Sequence, residues 1–225
     1  MNELIYKVVF SRRKSISITV TPDKGVIVRA PYGVSSNSID KFVREKEGWI
    51  RKHTDKYSGI TRLNNNKKYI DGETHLFMGK ECRLKIIYST QLFVNQYDNI
   101  IEVGTDGKDG RVKMMLDRWY RKKAGDFISG NIKEILNRYS DHGFFPSALV
   151  VKPLKSRWGS CTSKGKLTIS SELIKIDPVF AEYVIIHELC HLKNHNHGKE
   201  FYRLLEELYP DYKTVRKDLR KYITK

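Results

Sequence analysis

Cysteine is scarce in this chain: Cys82, Cys161 and Cys190 are the three thiols among 225 residues. So sparse and odd a set argues against a disulfide framework as the basis of the fold. Long hydrophobic runs are missing too, and none approaches the roughly 18 residues that a membrane-spanning helix needs. The opening residues, Met1-Asn2-Glu3-Leu4-Ile5-Tyr6-Lys7, hold no extended apolar segment of the kind that directs secretion. These absences predict a cytoplasmic protein with no membrane partner. No glycine-rich phosphate loop, paired-cysteine finger, RNA-binding signature or long basic tail is present. Negative charge is in short supply, with 26 Asp and Glu against 42 Lys and Arg and a formal net charge of +16. Such an excess favours polyanions by long-range attraction and counterion release, so nucleic acid or a nucleotide is one class of partner to test. The lysines are spread along the whole chain, however, which also suits a plain solvated basic surface.

What is present reads as an ordinary globular composition, 40% hydrophobic and 30% charged, long enough for one or two domains. Val8 and Phe10, then Ile16, Ile18 and Val20, then Val26 and Val28 alternate with polar residues, the period of half-buried strands. Asp23-Lys24-Gly25 supplies a turn between the second and third runs. Ser38 is the expected cap of one long helix running through Ile39, Phe42, Val43, Trp49 and Ile50. Residues 59–73 are polar and Asn-rich and read as a loop. Strand-like runs return at Thr74–Met78, Arg83–Tyr88 and Ile100–Val103. From Arg111 the period becomes helical, with Gly125 and Gly130 as expected points of interruption. The fold class predicted is α+β. A β-rich region with one long helix spans 1–105, and a second domain over 106–225 carries the chemistry.

That chemistry centres on Ile185-Ile186-His187-Glu188-Leu189-Cys190-His191-Leu192, an H-E-x-x-H sequence. Asp177 can cap a helix that starts at Pro178, a favourable pairing. Tyr183, Ile186 and Cys190 then share a buried stripe with Val179. Residues four apart on such a helix stand one turn along and about 40° round, so His187 and His191 present imidazoles to one point. Glu188 lies beside the first ligand, placed to hold a water acidified by Zn2+ and to take its proton. A catalytic zinc takes a third protein ligand and keeps its fourth position open. His195 and His197 compete for that role. On an unbroken helix His195 would lie about 12 Å along the axis from His187, too far for a common tetrahedral centre. The chain must turn back, and Asn194 is the expected turning residue, in the left-handed conformation. His197 is favoured on that ground.

The spacing H-E-x-x-H-x5-H is similar to that of metzincins, but no Met follows Met115, so the methionine turn of that clan is missing. A closer resemblance is to the YgjP-like family of zinc metallopeptidases, zincins related to the SprT-like and WLM proteases. It rests on Ser156-Arg157-Trp158-Gly159-Ser160-Cys161, on Tyr183 through Lys193, and on Asn196-His197 and Phe201. Ser11 through Ile18, Ala30-Pro31 and Phe42 through Trp49-Ile50 fit the family's N-terminal pattern. Gly198 departs from it, standing where a small polar residue is expected. The resemblance covers nearly the whole chain. It implies a compact, gluzincin-like catalytic domain with His187, His191 and His197 as ligands and Glu188 as base.

The segment around Arg157 and Trp158 reads as a strand entering a turn, with Leu167–Ser170 returning. Zincins run a sheet edge beside the metal, so Arg157 and Trp158 are the candidate substrate-binding residues, and Gly159 would allow close backbone approach. Trp158 also suits a core position, and Arg157 an oxyanion or an anionic group. Cys82 and Cys190 read as structural, whereas Cys161 is a candidate switch ligand. The leading reading is hydrolysis of peptide bonds in a protein or peptide substrate. The alternatives are a metal-dependent hydrolase of phosphoanhydrides, such as a nucleotide pyrophosphatase, and a nucleic-acid-associated binding module with structural zinc. The oligomeric state is left open.

Overall fold

The computed structural model describes residues 4–21, 25–57, 61–63 and 67–223. It is mixed α+β, in two compact units, Met1–Thr61 and Arg62–Lys225.

In the first unit, β1 (Tyr6–Ser11), β2 (Ser17–Thr21) and β3 (Gly25–Pro31) form a sheet in the order β1-β3-β2. β1 runs parallel and β2 antiparallel to β3. Of the expected turn Asp23-Lys24-Gly25 between β2 and β3, Asp23 and Lys24 lie outside the described residues. Two helices follow, α1 (Ser36–Glu45) and α2 (Glu47–Tyr57). The cap is Ser35, whose hydroxyl accepts the Ser38 N–H at 3.3 Å, so Ser38 stands inside the first turn. The expected single helix breaks at Lys46, whose N–H returns to Val43 O. Of the expected apolar face, Ile39, Val43 and Ile50 bury against Val20, Val26, Val28 and Ala30, whereas Trp49 is exposed. Phe10 is exposed too.

A two-residue strand, β4 (Thr61–Arg62), precedes the second sheet, which holds β5 (Thr74–Phe77), β6 (Lys80–Tyr88), β7 (Phe93–Tyr97) and β8 (Ile100–Thr105) in the order β5-β6-β8-β7. β6 and β8 pair in parallel, and the outer pairs are antiparallel. The β5–β6 turn puts Met78 and Gly79 at φ of 51° and 77° and hands their N–H groups to Ile174 and Lys175 O. α3 (Arg111–Arg138) is one unbroken helix of 28 residues. Next come β9 (Ala148–Lys152), β10 (Gly159–Cys161) and β11 (Lys166–Ser170), ordered β10-β11-β9, so β10 is an edge strand. α4 (Pro178–Cys190), α5 (Lys199–Leu208), α6 (Tyr212–Leu219) and the short β12 (Tyr222–Ile223) complete the unit.

The units divide at 61/62, where the sequence suggests 105/106, and the core explains why. Leu84, Ile101 and Val103 of the second sheet bury in the same cluster as Leu116 and Ile128 of α3 and Ile185 and Leu189 of α4. Burial of apolar surface, at about 25 cal/mol per Å², ties β5–β8 to the helices that follow them, so no boundary falls after Thr105.

Candidate active site

Asp177 caps α4 as expected, accepting the Val179 N–H at 2.9 Å ahead of Pro178. The helix is buried on most sides, from Phe180 through Cys190, and packs on β10, α5 and α6. It ends at His191, where Asn194 N–H returns to Cys190 O. The chain does turn there, yet Asn194 keeps a negative φ; the described non-glycine residues at positive φ are Tyr69, Met78 and Asp98. Asn194 contributes its carbonyl instead, 3.1 Å from His191 Nδ1. With the proton on Nδ1 directed at that carbonyl, His191 Nε2 is left with a lone pair.

The turn brings His197 back. His187, His191 and His197 each offer a ligand atom, all within 4.8 Å of one another, and His195 is exposed and outside the group. His197 Nε2 stands 3.1 Å from His187 Nε2. Two nitrogens on one tetrahedral zinc are about 3.3 Å apart, given bonds of about 2.0–2.1 Å, so the spacing fits a shared ion. Burial, with help from the neighbouring imidazoles and Arg216, pushes His187 down to about 3, which keeps it unprotonated and ready to ligate. Burial lowers His197 in the same direction. Phe201 of α5, fully buried, lies against all three rings at centroid distances of 5.0, 4.6 and 4.6 Å. It fixes their orientation by packing.

Glu188 is 6% exposed and faces β10. Desolvation raises its carboxyl to about 7, against the opposing pull of Arg157 and the Cys161 backbone N–H. Gly159 fits the close approach expected of it. A Cβ there would meet Glu188 Oε1 at 2.6 Å and Cγ at 2.7 Å, so only glycine leaves room for the carboxylate. Arg157 is exposed and acts on Glu188 through its charge. Trp158 is half-buried, packs against the main core, and accepts the Ser170 N–H on its carbonyl. Cys161 stands outside the histidine group, its Sγ 3.4 Å from Thr162 O, and Cys190 is fully buried in the core. In the sequence Phe201 stands out only through the family resemblance, with no role attached, and Tyr202 and Arg216 do not stand out. The apolar spacing of Phe201, Leu205 and Leu208 marks the buried face of α5 and was the available signal for the first.

Three convergent imidazoles beside a buried carboxylate, on an α+β scaffold, have the make-up of a metal-dependent hydrolase. The chain belongs to the YgjP-like metallopeptidase family, whose metallopeptidase-domain model matches residues 14–222. Two solved structures are similar over part of it. One is the metallopeptidase zymogen of Methanocaldococcus jannaschii jannalysin, 27% identical, covering 41% of this chain and 91% of its own, with a TM-score of 0.35. The other is the zymogen of Pyrococcus abyssi abylysin, 25% identical, covering 44% and 93%, with a TM-score of 0.34. No curated protein matches.

Proposed function

We propose that this metallopeptidase is a zinc enzyme in which His187, His191 and His197 hold the ion and Glu188 is the general base. The observation that carries the reading is the convergence of three ligand atoms within 4.8 Å, one residue along the helix from a buried carboxylate. An all-imidazole donor set suits Zn2+, which when bound polarises a scissile carbonyl and acidifies water. Glu188 takes a proton from the attacking water on its carboxylate and returns it to the leaving amine nitrogen. Its carboxyl, raised to about 7 in the metal-free chain, can both accept and release a proton near neutrality. Gly159 lets β10 lie directly against that carboxylate, and the Cys161 N–H fixes its orientation.

The outer edge of β10 is the surface on which an extended peptide would add as a further strand. Arg157 and Trp158 stand immediately before that strand and would contact substrate there. The test is hydrolysis of a mixed peptide library by the purified chain, with and without a chelator, read by mass spectrometry. Zinc-restored cleavage that Glu188→Gln abolishes is the expected result. Hydrolysis of nucleoside triphosphates with no peptide cleaved would overturn the reading in favour of a phosphoanhydride hydrolase.

A further inference from the structure

Beside the histidines lies a second feature that the proposed mechanism does not use. Tyr202, Tyr212, Lys213, Arg216, Lys217 and Arg220, from α5, α6 and the residue after it, line an open groove of about 330 Å³. Four of these six side chains are cations and none is acidic. Lys213 is paired with Glu206 at 2.9 Å, on the solvent side. Among the described residues no carboxylate pairs with Arg216, Lys217 or Arg220. The guanidinium of Arg216 donates instead to the neutral Tyr202 hydroxyl at 3.3 Å. Arg216, Lys217 and Arg220, gathered over a turn and a half, repel each other, and Asp218 beside them is paired with Lys221.

The groove adjoins the metal site through a single ring. Tyr202 lies 6.1 Å from the His197 ring on one side and stacks on buried Tyr212 at 6.0 Å on the other. Arg216 is close enough for its charge to act on both His187 and His197. Whatever extends from the scissile bond past His197 therefore meets a wall of aromatic carbon and then a cluster of unpaired cations. The volume holds one or two side chains and no long polymer. A guanidinium and an ammonium at the end of such a groove are matched by a carboxylate.

We infer that this groove is a specificity subsite for an acidic side chain of the peptide substrate. The inference rests on the metallopeptidase reading above, and its test separates the two. Binding is measured with full-length zinc-loaded Glu188→Gln, which removes turnover, using fluorescein-labelled octapeptides that differ only in a Glu-Glu or Gln-Gln pair. The acidic peptide should bind about tenfold tighter at low ionic strength, as a charge-assisted hydrogen bond allows. Lys217→Ala with Arg220→Ala should erase the difference, and Lys217→Glu with Arg220→Glu should turn the preference toward a Lys-Lys peptide. Lys122→Ala, an exposed cation of α3 outside the groove, controls for net charge and should leave the preference intact. Equal binding of the two peptides, or a preference that survives the double substitution, overturns the subsite. So does a short single-stranded DNA that binds more tightly than the acidic peptide and is lost in the same variant. If the preference holds but wild-type protein cleaves neither peptide, the subsite stands and the peptidase reading fails.

Discussion

A methyl group on Gly159 would stand 2.6 Å from Glu188 Oε1, well inside contact distance. Because the carboxylate is buried and oriented by the Cys161 N–H, it has no easy direction in which to yield. Gly159→Ala should therefore keep zinc and fold but lower kcat by about a hundredfold, the cost of misplacing a catalytic group by an ångström. Unchanged turnover would show that Glu188 can relocate without loss. Glu188→Gln removes the proposed proton acceptor while preserving shape, and peptide cleavage should fall by about 10²–10⁴ with zinc content unchanged. The ligand set is tested by metal analysis: His197→Ala should lose most of its zinc after dialysis, and His195→Ala should retain it. The opposite pattern would reassign the third ligand. At this scale the sequence was highly informative, because the H-E-x-x-H spacing alone brings two imidazoles and a carboxylate together on one helix. Arg216 and Tyr202 escaped notice because their relation to His197 depends on how α5 and α6 fold back, which no local spacing encodes.

Among the elements, α3 is the clearest departure from what local propensity suggests. Gly125 and Gly130 each weaken a helix by about 0.5–1 kcal/mol relative to alanine, yet the helix passes through both. Tertiary packing outweighs that cost, since Leu116, Trp119, Tyr120, Ala124, Ile128, Ile132 and Ile135 are all buried along its length. Neither glycine would bring an added Cβ within 4 Å of a neighbour. Gly125→Ala and Gly130→Ala should each stabilise the protein by up to about 1 kcal/mol, and together raise Tm by a few degrees. Thermal unfolding checks this, and a fall in Tm for either variant would mean that the glycine serves a contact absent from the folded chain. The same contest explains other differences. The helix expected from Ser38 breaks at Lys46 while Ile39, Val43 and Ile50 still bury in one cluster, so periodicity could not reveal the break. β7 was missed because Phe93-Val-Asn-Gln-Tyr is short and polar at its centre; it becomes a strand by pairing with β8. Asp177-Pro178, by contrast, marked the start of α4 in sequence because capping is a local interaction.

For the molecule as a whole, the pH dependence of folding is tied to two histidines, half-buried His187 and buried His75. His187 is held down to about 3 against an ordinary value of 6.5, by burial first and then by nearby positive charge. His75, buried beside Glu73 in the second sheet, is lowered in the same direction, again chiefly by desolvation. In the unfolded chain both imidazoles take a proton as the pH falls through 6.5, while in the folded chain His187 does not until about 3. The unfolded state therefore binds more protons across that window, and stability must fall as the pH is lowered through it. Zinc held as proposed would oppose this by mass action on the folded state, but its ligands must be unprotonated, so its contribution would fade in the same direction. The chelated protein should accordingly show a Tm that declines steadily from pH 7 to pH 5. The extra stability conferred by zinc should be largest near neutrality and shrink across the same range. His187→Asn, which cannot titrate, should flatten the slope of the chelated protein. If Tm of the chelated wild type is level over that range, or the slope persists in His187→Asn, then the neutral state of this histidine is not what ties the fold to pH.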